Sequence, residues 1–304
     1  MTSFKGDALS ENNSGTMTTP LLPWAAEWGG QRPRGNLVFA AVFVVLLLIF
    51  SIPFAIDAAN QGNMGRTVFG AAIFLVALTS LIAVVPILRV RRKKLPRDIE
   101  TSATVDSSRG VRVFYLSSWR RALILWLTAG TLFLLIRGWL FFKQLSDDSE
   151  GSARSQLSAG GLVIVVIVLG MIAVLGWYLF SSRHRRGFVA LTADGVVQRL
   201  GHTVKRLPWS EIGGAFPGVL SNVHVVDIVP VPGHKVNVDS GKSWLDNMQR
   251  GSLEKSIQVP AWVLGMDPAL FLYLVRFYWQ HPEARQELAT EAVVNRMRSG
   301  ELLG

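Results

Sequence analysis

Four long apolar runs constrain this chain of 304 residues more than any other feature. They extend over residues 37–56, 68–88, 122–139 and 162–180. Each run approaches the ~20 apolar residues that an α-helix needs to cross a bilayer. Three of the runs contain no charged residue, and the third contains only Arg137. The pattern predicts a multi-pass membrane protein whose spans form two helical hairpins.

The distribution of Lys and Arg predicts how these spans are oriented. Residues 89–121, between the second and third runs, contain ten basic and three acidic residues. The loop between the first and second runs contains only Asp57 and Arg66 as charged residues. Because basic residues are enriched in the cytoplasmic segments of membrane proteins, we expect both termini and residues 89–121 in the cytoplasm.

Composition narrows the classes of protein further. Half of the chain is hydrophobic and only 17% is charged, against about 25% in an average soluble domain. The net charge is +10, but most of the excess lies in residues 89–121. It therefore forms a belt beside the membrane, and we expect no nucleic-acid partner. The chain has no cysteine, which excludes disulfides, thiolate metal sites and thiol nucleophiles.

The densest basic segment has six positive charges in nine residues. These are Arg89, Arg91, Arg92, Lys93, Lys94 and Arg97. Such a cluster sets the topology of the flanking spans. It also attracts anionic phospholipids, by on the order of 1 kcal/mol for each Lys or Arg near the surface. Recognition of a specific lipid or of another polyanion is the alternative interpretation.

The last 120 or so residues differ in kind. Short runs with alternating or β-branched residues predict strands over residues 188–192, 196–200, 204–207, 222–229, 235–238 and 256–259. Asp194-Gly195 is a tight-turn signal between the first two. Asp267 and Pro268 mark the start of a helix that continues to about Gln280. A second, more polar helix is predicted over residues 282–297. The order predicts an antiparallel barrel or sandwich with a closing helix.

Two segments of this domain resemble bacterial pleckstrin-homology-like (PH-like) domains. Residues 189–197 read Val-Ala-Leu-Thr-Ala-Asp-Gly-Val-Val, and residues 206–212 read Arg-Leu-Pro-Trp-Ser-Glu-Ile. The tail over residues 281–288 is similar to the end of such domains in actinobacterial membrane proteins. The resemblance covers about residues 186–290. It implies a small barrel of about seven strands capped by the C-terminal helix. Its first hairpin loop lacks the Lys and Arg residues of phosphoinositide-binding members, so headgroup binding is not carried over.

The predicted fold is thus an α+β membrane protein with four transmembrane helices and a cytoplasmic PH-like barrel. The predicted division of the chain is an interfacial N-terminal segment over 1–35, a transmembrane hairpin over 36–90, a basic cytoplasmic loop over 91–121, a second hairpin over 122–181 and the PH-like domain over 186–298. The resemblance places this multi-pass protein in a bacterial cell membrane.

Three smaller features carry hypotheses about contacts. Trp24 and Trp28 lie beside the first span and are interpreted as interfacial anchors, with a docking motif as the alternative. Residues 111–116 alternate weakly and are a candidate strand that adds to an open edge of the barrel. The helix over 269–280 is apolar on nearly all sides. Its surplus residues Phe271, Tyr273 and Trp279 form a candidate docking face, with ordinary burial in the core as the alternative.

No pattern of catalytic residues accompanies these features. The five histidines show no metal-binding spacing, and we expect no metal and no cofactor. Gly241-Lys242-Ser243 resembles the end of a phosphate loop, but Val236 stands where that motif needs glycine. We therefore expect a non-catalytic scaffold or regulator that binds a protein partner, another copy of itself or the inner membrane surface. A small transporter or channel component regulated by the C-terminal domain is the alternative.

Overall fold

A computed structural model describes most of the chain. The described residues are 19–32, 35–96, 99–105, 107–147, 153–181, 186–220, 223–240, 248 and 250–303. Within them the chain is an α+β protein with four long apolar helices in its first part and a two-sheet domain that includes its last part.

The four long helices confirm the four predicted spans. They are α1 (Gly35–Asn60), α2 (Met64–Leu88), α3 (Ser117–Asp147) and α4 (Ala153–Ser181). Each contains a segment long and apolar enough to cross a membrane. Their apolar side chains lie largely on the surface: Phe39 is 74% exposed and Trp177 is 80% exposed. Helices that are apolar all round suit hydrocarbon rather than water, so the chain has the composition and architecture of a multi-pass membrane protein.

The helices pack in chain order, α1 on α2, α2 on α3 and α3 on α4. Gly70 permits the closest approach in the first hairpin, because a β-carbon there would lie 2.9 Å from the Cβ atom of Ala55. Asn63 caps the N-terminus of α2, since its side-chain oxygen accepts a hydrogen bond from the backbone N–H of Arg66 at 3.1 Å. Packing through small residues is the usual way in which helices associate in a bilayer.

Within the part of the chain that the structure describes, nine strands form two antiparallel sheets. The large sheet contains β1 (Ile99–Val105), β2 (Ser108–Phe114), β3 (Phe188–Thr192), β4 (Gly195–Leu200), β5 (Thr203–Pro208) and β8 (Asn237–Asp239), in that spatial order. The small sheet contains β6 (Ile212–Leu220), β7 (Val223–Pro230) and β9 (Ile257–Pro260), with β7 in the centre. Each predicted strand of the C-terminal region has its counterpart here.

The hairpin β1–β2 comes from the segment between α2 and α3, yet it belongs to the large sheet. Strand β2 pairs with β3 along its length, with Val113 opposite Val189 and Phe114 opposite Phe188. This pairing confirms the hypothesis that the alternating residues 111–116 add a strand to the C-terminal domain, although the strand begins earlier and ends at Phe114. Strands β1 and β2 are therefore part of a folded domain.

The two sheets do not close into the barrel that the resemblance implied. Among the described strands, β6, β7 and β9 pair only with one another, so the domain is a pair of open sheets. A 3₁₀-helix over Trp209–Glu211 follows β5 and turns the chain from the large sheet to the small one. The Trp209 side chain is buried, and its Nε1 donates a hydrogen bond to the carbonyl of Thr192 at 2.8 Å. Pro208 has no backbone N–H, which ends β5 at this turn.

The hydrophobic core lies between the sheets and the C-terminal helices. In the described residues after β8, the helices are α5 (Arg250–Leu253), α6 (Ala261–Leu264), α7 (Pro268–Gln280) and α8 (Ala292–Ser299). Helix α7 packs on β6 and β7, and its buried Phe271 and Leu274 share one core with Val226 and Ile228. The predicted second helix is a 3₁₀-helix over Pro282–Ala289 followed by α8.

Three separate parts of the chain meet at one end of the long helices. Leu22, which precedes α1, lies in the same core as Leu302 near the C-terminus. Leu116, which precedes α3, donates its backbone N–H to the carbonyl of Val263 at 2.8 Å. The segment before α1, the segment between α2 and α3 and the sheet domain after α4 therefore lie on the same side, and each helical pair is a hairpin that returns to that side.

Candidate functional site

A charged group that links the long helices to the sheet domain is Arg91, which follows α2. Its Nε atom lies 2.9 Å from Oδ1 of Asp267, the residue that precedes α7. The Arg91 side chain is 14% exposed and that of Asp267 is 1% exposed. The backbone N–H of Arg92 also points to Oδ1 of Asp267, at 3.4 Å. The segment leaving the first hairpin is thereby fixed to the start of the closing helix.

Arg91 also holds the segment that precedes α1. One of its terminal nitrogens donates a hydrogen bond to the carbonyl of Leu22 at 2.9 Å. Its guanidinium carbon lies 5.1 Å from the centre of the Trp24 ring, within the range of a cation–π interaction. We call the set of Leu22, Trp24, Arg91 and Asp267 the Arg91 joint. It connects three segments that are distant in the sequence.

Burial governs the electrostatics of the Arg91 joint. Removal from water raises the pKa of the Asp267 carboxyl, and the attraction of Arg91 offsets only part of this effect. Burial, followed by repulsion from Arg89, lowers the pKa of Arg92. A buried pair of this kind does not guarantee stability, but removal of one partner leaves a charge in a dry environment, which costs several kcal/mol.

Two tryptophans attach the N-terminal segment to the small sheet. Trp28 is only 3% exposed, and its Nε1 donates a hydrogen bond to the carbonyl of Val225 at 3.1 Å. The Trp24 and Trp28 rings lie 4.7 Å apart, and His224 contacts the Trp24 ring edge-on at 5.2 Å. Trp28 therefore belongs to the core of the sheet domain. Its interpretation as an interfacial anchor was wrong. Trp28 instead docks onto the sheet domain of its own chain, which corresponds to the alternative of a docking motif.

The predicted basic cluster divides into two groups. Arg89, Lys93 and Lys94 are exposed, whereas Arg91 and Arg92 are half-buried. Arg97 lies outside the described residues. The backbone carbonyl of Lys93 accepts a hydrogen bond from the N–H of Thr19 at 2.7 Å. The segment is thus an ordered strap against the domain as well as a source of positive charge.

The predicted docking residues lie on α7, and the structure places them differently from one another. Phe271 is 1% exposed and lies in the core, so it has no free surface. Tyr273 and Trp279 are half-buried against the same core. Trp279 Nε1 donates to the carbonyl of Ile212 at 3.0 Å, and Arg276 Nε donates to that of Ala215 at 3.0 Å. These bonds fix α7 across β6, and burial is the dominant state of its apolar side chains.

A buried polar group lies between the sheets, and sequence reasoning missed it. Gln198, fully buried on β4, donates hydrogen bonds to the Tyr115 hydroxyl at 2.9 Å and to the Gln258 carbonyl at 2.8 Å. Lys205 on β5 is 5% exposed and donates to the Ser256 carbonyl at 3.0 Å. Burial lowers the pKa of Lys205, with partial compensation by Asp227. Strand alternation was the available signal, because Gln198 is in phase with the core residue Val196.

Within the described residues, no group of three or more His, Asp or Glu side chains is arranged to hold a metal ion. Arg91 and Asp267 face each other as an ion pair, while Nε of Arg91 and Oδ2 of Asp267 are buried without a hydrogen bond. What this joint can do chemically is to hold three segments together by charge and hydrogen bonds.

No protein-family model, no curated protein and no solved structure matches this chain. Its class is therefore defined by architecture alone. It is an α+β protein with four candidate membrane spans and a two-sheet domain, one hairpin of which comes from the segment between the second and third spans.

Proposed function

We propose that this protein is a non-catalytic scaffold or regulator of a bacterial cell membrane, with its sheet domain on the cytoplasmic side. The domain binds a protein partner, a second copy of the chain or the inner surface of the membrane. The observation that carries the proposal is the insertion of hairpin β1–β2 into the large sheet. This insertion makes the sheet domain and both helical hairpins one connected unit.

The connection between domain and spans distinguishes this arrangement from a tethered module. A domain on a single linker moves independently of its anchor. Here the domain is tied to the chain between α2 and α3 by strand pairing and by the ion pair between Arg91 and Asp267. A partner bound to the domain is therefore held at a defined position above the membrane, as a scaffold requires.

The PH-like assignment remains part of this proposal. Two antiparallel sheets and a later helix that packs on β6 and β7 support it, although the sheets do not close into a barrel. Fold resemblance is weak support for activity, because PH-like domains serve many partners. It favours a binding role over a catalytic one.

The cytoplasmic orientation follows from charge. The exposed residues Arg89, Lys93 and Lys94 stand just beyond α2, where anionic phospholipids of the inner leaflet attract basic side chains. The half-buried Arg91 is engaged by Asp267 and contributes less to that attraction. We propose anionic phospholipids as the lipid partner of this segment.

Affinity purification in a mild detergent, followed by mass spectrometry, tests the scaffold. The expected result is a stoichiometric partner, or a second differently tagged copy of the chain, that is recovered again when the tag is moved to the partner. The matched control is the same chain solubilised in a denaturing detergent. Recovery of the chain alone and as a monomer in mild detergent would contradict partner binding.

Arg137 supports the second candidate, a transporter or channel component regulated by the sheet domain. It lies within α3, and its guanidinium carbon is 4.2 Å from the centre of the Phe141 ring and 5.4 Å from that of Phe69. Ionisable groups within spans often serve transport. Substrate-dependent uptake into reconstituted vesicles, abolished by Arg137→Gln, would establish this candidate and overturn the scaffold. Equal background uptake by both forms would reject it.

A further inference from the structure

The outer face of the large sheet carries a second apolar cluster, separate from the main core. Phe188, Ala190, Val197 and Val204 are buried there, on the side that faces away from the small sheet. At one end of this face, residues stand directly opposite one another on neighbouring strands. Phe114 on β2 is paired with Phe188 on β3, and Phe188 is paired with Arg199 on β4.

Three arginines surround these two aromatic rings. The guanidinium carbon of Arg112 lies 4.8 Å from the centre of the Phe188 ring, and that of Arg199 lies 5.2 Å from the same centre. The guanidinium of Arg186 lies 5.4 Å from the centre of the Phe114 ring. We call these five residues the arginine–phenylalanine cluster. Stacking on aromatic rings holds guanidinium groups in place.

The cluster lies at the end of the sheet nearest to the long helices. Phe114 precedes the first residue of α3, Ser117, by three positions, so the two are at most about 11 Å apart. The apolar part of α3 begins at Arg121, about 6 Å further along the helix axis. The headgroup layer extends roughly 5–8 Å beyond the hydrocarbon on each side. Ser117 therefore lies in or near that layer, and the cluster stands next to it.

Protein groups engage Arg112 more completely than Arg199, since the Thr104 carbonyl accepts a hydrogen bond from Arg112 at 2.9 Å. Glu100 on β1 forms an ion pair with Arg112 at 3.3 Å. Asp239 on β8 stands at the opposite edge, in the same row as Arg199 and beyond Val204. Arg199 has no acidic partner within the described chain, and its Nε is buried without a hydrogen bond. Anionic oxygen atoms are the natural complement of such guanidinium groups.

We infer that the arginine–phenylalanine cluster binds the phosphate groups of anionic phospholipids in the bilayer that holds the spans. The inference rests on the proposed function, because it requires the sheet domain to face a membrane rich in such lipids. It adds a contact outside the basic segment that follows α2. The exposed Leu200, beside Arg199 at the turn between β4 and β5, lies at the same end of the sheet.

Proximity to lipid is measurable because the chain contains no cysteine. Leu200→Cys places a unique thiol at the end of the sheet nearest to the membrane. Ala193→Cys places one in the turn between β3 and β4, at the opposite end. Each full-length variant is labelled with a fluorophore and reconstituted into vesicles of phosphatidylcholine, alone or mixed with phosphatidylglycerol. A nitroxide on the lipid headgroup quenches fluorophores that lie close to the surface.

We expect quenching at position 200 that is stronger in the anionic vesicles, and weak quenching at position 193 in both. Arg186→Gln/Arg199→Gln removes two charges from the cluster. Each near-surface arginine contributes about a fivefold factor to lipid attraction, so the double variant lowers the ratio of lipid-contacting to free states by about 25-fold. Lys235→Gln/Arg250→Gln removes two exposed charges that both pair with Glu254 away from the cluster. This control leaves quenching unchanged.

Flotation of the vesicles distinguishes a failure of the proposed function from a failure of the lipid site. A chain that fails to float with the vesicles contradicts the membrane placement on which the proposed function depends. Two results with a chain that floats would overturn the lipid site alone. One is equal quenching at position 200 in both lipid mixtures, and the other is equal quenching at position 200 in both double variants. Circular dichroism of each variant confirms that the fold is retained.

Discussion

Arg91 and Asp267 form a buried ion pair between the segment that leaves the first helical hairpin and the residue that begins the closing helix of the sheet domain. The Nε–Oδ1 distance is 2.9 Å, and only 1% of the aspartate side chain is exposed. Their ion pair therefore fixes the first helical hairpin to the sheet domain.

Arg91→Ala is expected to destabilise the sheet domain by about 3–5 kcal/mol, because it leaves the Asp267 carboxylate buried without its partner. Urea unfolding in detergent, followed by tryptophan fluorescence, measures this loss. The matched control is Lys94→Ala, which removes an exposed charge three residues away and should change stability by no more than about 0.5 kcal/mol.

A double variant tests whether the loss comes from the unpaired carboxylate. Arg91→Ala/Asp267→Asn replaces the buried charge by a neutral amide, and burial already raises the pKa of this carboxyl, so the neutral form is the less costly one. We expect the double variant to be more stable than Arg91→Ala alone. Equal or greater instability would show that Arg91 acts mainly through its contacts with Leu22 and Trp24.

Trp28→Ala is expected to cost about 3–5 kcal/mol, because it empties a volume in the core and removes the hydrogen bond to the Val225 carbonyl. Trp28→Phe retains most of the apolar volume and should cost less, with the lost bond accounting for about 1–3 kcal/mol. The same unfolding measurement applies. Trp177→Ala, at an 80% exposed position of α4, is the control, and a comparable loss there would argue against a specific role of Trp28.

Sequence reasoning succeeded where the signal was local. The four spans follow from the length of their apolar runs, and β2 follows from the alternation around Val111 and Val113. Strand β6 was not predicted, because Gly213, Gly214, Pro217 and Gly218 read as a loop. It forms because it lies at the edge of the small sheet, where a missing N–H at proline is tolerated.

The Arg91 joint could not be predicted in the same way. In the sequence Arg91 is one of six equivalent positive charges, and only the folded chain brings it alone to Asp267. The position of Asp267 before a helix was predicted, but its partner lies far away along the chain. Contacts between distant segments have no signature in local periodicity or charge density.

Gly110→Ala is expected to weaken the junction between hairpin β1–β2 and the rest of the large sheet. Gly110 stands opposite Thr192, and a β-carbon at this position would lie 2.7 Å from the Thr192 Cα atom. Overpacking of this kind costs about 1–3 kcal/mol. Faster proteolysis of residues 99–114 would show the weakened pairing. Gly130→Ala, where nothing lies within 4 Å of the added carbon, should leave the rate unchanged.

Alkaline pH should destabilise the sheet domain through Tyr278. Burial, followed by the nearby Glu287 carboxylate, raises the pKa of its hydroxyl to about 12, against about 10 in an unfolded chain. As pH rises from 10 to 12, the unfolded chain loses the proton first, so stability present below pH 10 is lost across this window. Tyr278→Phe should remove that part of the slope of unfolding free energy against pH. An unchanged slope would assign the alkaline loss to other groups.

Labelling of single cysteines from each side of the membrane should show the two ends of the helical hairpins. Leu21→Cys and Ser299→Cys lie in the segments that the structure brings to one side, and Gln61→Cys lies in the turn between α1 and α2. All three positions are exposed. A membrane-impermeant maleimide is expected to react with the first two only in inside-out vesicles and with the third only in intact cells. Met171→Cys, on the lipid-exposed surface of α4, should react in neither preparation. Reaction of the first two from opposite sides would contradict the structure, whereas a common reversal of all three would contradict only the orientation inferred from charge.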